Sequence, residues 1–129
     1  MMLKRSWPIK KNFKILNINH IAVATENTDI LKFLFSDKLG MSFKDKEHVY
    51  SEDVNVVKIY PEDKKTAIEL LEPTSESSKI KKFLANNGKG IHHIALTVDN
   101  ISNAIQFMNE NNIKLVYDKP QKGSDNTLI

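Results

Sequence analysis

The chain has no cysteine, and that absence removes three kinds of chemistry at once. It can build no disulfide, no thiolate metal site and no thiol nucleophile. Arginine is almost missing as well: Arg5 is the only one, and the remaining positive charge is lysine. The planar fork that reads phosphate or guanine is therefore nearly unavailable. Neither sign of charge dominates, the net being +3. No run approaches the roughly 18 apolar residues of a membrane span. A 40% hydrophobic and 27% charged composition over 129 residues is that of one soluble globular domain with a real core.

Lys4, Arg5, Lys10, Lys11 and Lys14 cluster before the first acidic residue. Residues 1–16 read as a solvated basic arm. The lack of acids also suits a targeting peptide, although Pro8 interrupts any amphipathic helix there. No aromatic-and-basic stripe points to nucleic acid. The expected setting is cytoplasmic, with no membrane and no nucleic-acid partner.

What is present is a repeat. His20-Ile21-Ala22 recurs as His93-Ile94-Ala95, at an offset of 73 residues. Ile18 maps onto Ile91, Val23 onto Leu96 and Asn27 onto Asn100. Each copy then enters a helical apolar pattern. One βα unit is used twice, with a histidine at the same strand position.

Residues 18–25 read as a strand with His20, Ala22 and Ala24 on one face. Thr28 or Asp29 caps a helix with an apolar stripe of Ile30, Leu31, Leu34 and Phe35, which Gly40 ends. Strands follow near 41–49, 54–60 and 66–72, with Pro61-Glu62-Asp63 as a turn. Ser77 or Ser78 caps a linker helix that ends at Gly88. The second strand, 91–98, places His93, Ala95 and Thr97 together. A helix through Ile101, Ala104, Ile105 and Met108 follows, then a strand near 113–117 and a loop with Pro120 and Gly123. The fold class is α+β: paired βαβββ modules in a curved mixed sheet, a half-barrel whose second module is incomplete. Module one spans about 17–73, the linker helix 77–88 and partial module two 90–129.

Both histidines share their faces with small residues, so they look into unfilled space. Ala22, Ala95 and Thr97 are the candidate substrate-facing positions. Glu69 stands in the otherwise apolar Thr66-Ala67-Ile68-Glu69-Leu70-Leu71 and needs a cation, a metal or water. His20, Glu69 and His93 make an N,N,O set suited to Zn, Ni, Co, Mn or Fe. The plainer alternative is two hydrogen-bonded strand histidines and an edge-strand acid meeting solvent. By alternation His92 points to the opposite face, as a packing residue or a support for a ligand. His48, among charged neighbours, reads as surface.

The segments Asn19-His20-Ile21-Ala22-Val23, Leu39-Gly40, Ile68-Glu69-Leu70-Leu71-Glu72-Pro73, Ser78 to Leu84, Gly90-Ile91-His92-His93-Ile94-Ala95 and Val98-Asp99-Asn100-Ile101 resemble the vicinal oxygen chelate superfamily, which includes glyoxalases, bleomycin-resistance proteins and dioxygenases. Within it they are most similar to the methylmalonyl-CoA epimerase branch, over about residues 17–125. The resemblance implies a metal-lined half-barrel, a homodimer, an acyl-CoA substrate and a divalent ion held by His20, Glu69 and His93. It implies inversion at C2 of methylmalonyl-CoA through an enolate. The family's last ligand, a glutamate that also acts as a base, is expected on a final strand. The 73-residue offset from Glu69 points to the same gap, near position 142, past Ile129. The catalytic base is therefore expected beyond this chain, which reads as C-terminally truncated and impaired. A second acid in some relatives falls near Val56, with Glu52 and Asp53 the nearest carboxylates. A glyoxalase-type lyase or isomerase, an extradiol dioxygenase and a non-catalytic binding protein are the alternatives within the superfamily.

Overall fold

The computed structural model describes residues 11–129, so Lys4, Arg5 and Lys10 of the expected arm lie outside the described residues. Strand β1 runs over Ile15–Ala24, and helix α1 over Thr28–Lys32 continues as a π-helical turn, Phe33–Lys38. Two short strands follow, β2 (Ser42–Phe43) and β3 (Glu47–Val49). Then come β4 (Val54–Tyr60), β5 (Ala67–Pro73), α2 (Lys79–Asn87), β6 (Gly90–Val98) and α3 (Ile101–Glu110). They form a curved, unclosed mixed sheet in the order β2-β4-β5-β1-β6, with β3 also on β4. β1 and β5 are parallel, and the other pairs are antiparallel. Among the described residues no helix is long and apolar enough to cross a membrane.

Alternation along β4 and β5 sends apolar side chains to both faces, and each face has its own core. On the convex side Val57, Ile59 and Leu70 are buried with Val23, Leu31, Phe35 and Met41. On the concave side Ala22, Ala24, Val54, Val56 and Leu71 pack under Ile80 and Leu84 of α2. α2 covers only part of this face, and the uncovered part is the cavity described below. Burying one Leu or Ile contributes about 1.5–3 kcal/mol, so α2 is anchored by Ile80 and Leu84, at 5% and 7% exposure.

The duplication is visible in the backbone. Asn27 caps α1 through Asp29 N, and Asn100 caps α3 through Asn103 N. Their φ/ψ values, −146/105 and −148/103, are nearly the same. The cap of α1 is thus Asn27 rather than Thr28 or Asp29. Thr28 is fully buried and donates its N–H to the Glu72 carboxylate.

The α1 stripe also differs from expectation. Leu31 and Phe35 pack inward, while Ile30 and Leu34 are 63% and 45% exposed. The π-helical turn, with Leu39 N donating to Leu34 O, rotates the following residues off the 3.6-residue period. The strand expected near 41–49 is broken into β2 and β3 by the charged Lys44-Asp45-Lys46. Residues 113–117 form no strand. Asn112 turns the chain through a positive φ of 58 after α3, and among the described residues no strand pairs with this segment. The second module therefore has one strand and one helix among the described residues.

Candidate metal centre

Strand register brings the three sequence-selected side chains together. Ala22 of β1 stands beside Glu69 of β5 on one side and His93 of β6 on the other. Neighbours across strands share a face, and His20 lies two residues before Ala22 on that face. His20 Nε2 is 3.3 Å from His93 Nε2 and 3.5 Å from Glu69 Oε2. Two donors held about 2.1 Å from one ion at octahedral or tetrahedral angles stand about 3.0–3.4 Å apart. Among the described residues no group of three such side chains already forms a metal cage. The convergence is pairwise, with His20 between its two partners.

Each histidine is held from behind. His20 Nδ1 lies 2.7 Å from Asn19 Oδ1, which can only accept, so Nδ1 carries the proton and Nε2 presents a lone pair. His93 Nδ1 lies 2.8 Å from His92 Nδ1. The reason is a slip in register. From Ala22 to Val23 the partners on β6 step from His93 to Ile91, so His92 is the extra residue of a β-bulge. The bulge breaks strict alternation. His92 does not face away from His93; it turns beside it, with its ring edge-on to Phe83 at 4.9 Å. A second bulge sits at Asn19, between the Ile18 and His20 pairs. His48 is exposed and stacks on Tyr50.

The charge states follow from burial. Desolvation, then the neighbouring His93 and Lys58, lowers the His20 pKa to about 4. Burial raises Glu69 to about 7, opposed by Lys58 and reinforced by Asp125 and Glu47. His20 and Glu69 are consequently not an ion pair at neutral pH. Desolvation and His92 lower His93, while Glu52 works the other way. Glu69 is 5% exposed, and its Oε2 has no hydrogen-bond partner among the described residues. A neutral imidazole lone pair and an orphaned buried carboxylate oxygen on one spot suit a divalent cation.

The donors open into a cavity of about 1040 Å³, bounded by Ala67, Ala95, Thr97, Val54 and Val56 with Glu52 and Asp125 at its rim. Ala95 and Thr97 line it as expected from the sequence. Ala22 does not; it is fully buried under α2 in the concave core. Val56, near the family's second acid, is buried and apolar. Glu52 carries a carboxylate into the lining and accepts a 2.6 Å hydrogen bond from the Tyr117 hydroxyl. Lys58 also lines the site and was not singled out in the sequence. The signal was available: Val54, Val56 and Lys58 alternate along one strand face, and a hairpin turn at 61–66 sets Lys58 opposite Glu69.

This fold, with two imidazoles and a carboxylate converging on one face of a curved, unclosed sheet, defines a half-barrel class of protein. The chain belongs to the Glyoxalase/Bleomycin resistance protein/Dioxygenase superfamily, whose family description matches residues 19–129. Among its relatives is the mitochondrial methylmalonyl-CoA epimerase of Dictyostelium discoideum, 32% identical over 83% of this chain and 64% of the relative. The chain thus spans less than two thirds of that relative's length. The crystal structure of a hypothetical protein from Bacillus halodurans superimposes with a TM-score of 0.81 at 31% identity, over 92% of this chain and 82% of that one. A Streptomyces coelicolor methylmalonyl-CoA epimerase variant in complex with 2-nitronate-propionyl-CoA gives a TM-score of 0.81 at 26% identity, over 89% of this chain and 85% of that one.

Proposed function

We propose that this protein is a metal-dependent epimerase acting at C2 of methylmalonyl-CoA, with His20, Glu69 and His93 as the ligands of a divalent ion. The observation that carries the reading is the meeting of His20 Nε2 with His93 Nε2 and the orphaned Glu69 Oε2 at the edge of a large cavity. The epimerase relatives, one of them bound to a propionyl-CoA analogue, supply the substrate class.

When bound, a divalent ion supplies Lewis-acid stabilisation of negative charge on a substrate oxygen. Asn19 holds His20 in the tautomer that such a ligand needs, and His92 fixes the orientation of the His93 ring. Ala67, Ala95 and Thr97 leave room for a branched acyl group beside the donors. Epimerisation needs a group to take the C2 proton and one to return it. Of the cavity carboxylates without a ligand role, Asp125 is paired with Lys58 and Asp99 accepts from the Lys14 N–H, and we assign Glu52 one of those two positions. Tyr117 donates to its Oε1 and leaves Oε2 for the substrate.

A homodimer and a cytoplasmic setting complete the proposal. Among the described residues β6 is an edge strand, and Ile91, Ile94 and Leu96 are exposed on it beside Ile15 and Ile18 of β1, a patch suited to self-association.

The test is exchange of the C2 proton of methylmalonyl-CoA in deuterium oxide, followed by NMR, with and without added Co²⁺ or Mn²⁺. Metal-dependent exchange that disappears in His20→Ala is the expected result. Turnover of a hemithioacetal, or oxygen uptake with a catechol, in place of that exchange would move the protein to another branch of the superfamily.

A further inference from the structure

Lys58 is an unusual residue to find where it is. It lies in the middle of β4, its side chain is 11% exposed, and its ammonium projects into the cavity 4.0 Å from Glu69 Oε2. A nearly buried ammonium needs an anion. Glu69 does not hydrogen-bond it; Oε2 has no such partner among the described residues. The anion is Asp125, whose Oδ2 is 2.6 Å from Lys58 Nζ and 3.4 Å from Lys44 Nζ.

Asp125 comes from a loop that is tied mainly to itself. Gln121 N donates to Ile129 O, Ile129 N to Gln121 O, and Gly123 N to Thr127 O. Its links to the sheet are the two lysines and the Asp125 N–H, which the Glu47 carboxylate accepts. The Asp125 backbone has φ 56, a left-handed conformation that costs a non-glycine residue energy. A strained loop thus delivers one carboxylate to a cationic pocket beside the metal donors. The side chain of Asp125 is 39% exposed, so it can leave into water.

We propose that Lys58, assisted by Lys44, docks the free carboxylate of the acyl thioester, and that Asp125 holds that place until the substrate displaces it. The inference rests on the epimerase reading for the identity of the thioester. It adds what selects a malonyl-type acyl group over a plain one. A carboxylate held by Lys58 is a neighbour of whatever Glu69 holds, so docking and chelation orient the same end of the substrate. Charge-assisted hydrogen bonds of this kind are stronger than neutral ones and are lost when either partner is neutralised.

The experiment compares equilibrium binding of malonyl-CoA, propionyl-CoA and free malonate by titration calorimetry. The proteins are the wild-type chain and Lys58→Met, Lys58→Arg and Asp125→Asn variants, with circular dichroism melts to verify folding. The wild type should bind malonyl-CoA roughly tenfold or more tightly than propionyl-CoA. Lys58→Met should erase that preference, and Lys58→Arg should keep it. Asp125→Asn should tighten malonyl-CoA several-fold and leave propionyl-CoA unchanged. A folded Lys58→Met that still prefers malonyl-CoA, or a wild type with neither that preference nor malonate binding, overturns the proposal. Lys58-dependent malonate binding without C2 proton exchange would remove the epimerase reading and leave the carboxylate site standing.

Discussion

Asn19 and His92 are equivalent residues of the repeat, and each hydrogen-bonds the Nδ1 of the histidine that follows it, at 2.7 Å and 2.8 Å. Each sits at a β-bulge in the β1–β6 pairing. The duplication has therefore copied the support of the imidazole along with the imidazole. The two supports differ in kind. Asn19 Oδ1 can only accept, whereas His92 can accept or donate. His93 keeps Nε2 toward His20 in either case, and that nitrogen presents a lone pair only when Nδ1 carries the proton and donates it to His92.

Loss of either support should loosen the metal without unfolding the protein. Asn19→Leu and His92→Phe are each expected to weaken Co²⁺ or Zn²⁺ binding about 10–100-fold. His20→Ala and His93→Ala should abolish it. Competition against a chelator of known affinity measures all four.

Ion binding should release protons in a pH-dependent way. Glu69, raised to about 7 by burial, is mostly protonated at pH 6 and must lose its proton to become a ligand. His20, lowered to about 4, is already neutral and contributes no proton. About one proton should appear in solution on binding at pH 6, and almost none at pH 9. Calorimetry in two buffers of different ionisation enthalpy gives the number directly. A constant value across that range contradicts the burial-raised carboxyl.

Without metal, Glu69 is a burden on stability. Its folded pKa lies above the unfolded value, so the folded state binds more protons between pH 4.5 and about 7. The penalty is absent at low pH, grows as pH rises through that window and is complete above it. Glu69→Gln should therefore stabilise the metal-free protein by about 1–3 kcal/mol at pH 8 and by little at pH 4.5. Urea denaturation at the two pH values checks both the sign and the window. The same variant should bind divalent ions poorly.

The twin caps should be energetically alike. Asn27→Ala and Asn100→Ala each remove a side-chain acceptor from a helix start, at a cost of about 1 kcal/mol. Thermal melts of the two variants should shift by similar amounts. A much larger loss for Asn27 would mean that the neighbouring Thr28–Glu72 contact depends on it.

Much of this molecule was legible in order along the chain. The 73-residue repeat picked out both histidines and the strand that each occupies, and it paired Asn27 with Asn100 without marking them as helix caps. Strand β4 falls where alternation placed it, and Ser78 caps α2. Local patterns failed where the backbone leaves its ideal period. Leu34, inside a π-helical turn, stands in water, and a bulge turned His92 toward His93. The expected strand at 113–117 failed for another reason: a strand exists only where a neighbour offers its hydrogen bonds.

The sequence by itself determined which two histidines stand at equivalent positions, because a repeat returns the same residue to the same position on the same kind of strand. Only the tertiary structure decided what stands around them. Lys58 and Glu69 meet because an antiparallel register opposes them, and Asp125 reaches Lys58 across a sequence separation of 67 residues. Such contacts are set by how the sheet curves and where the last loop folds back, and neither is written in the pattern of any single segment.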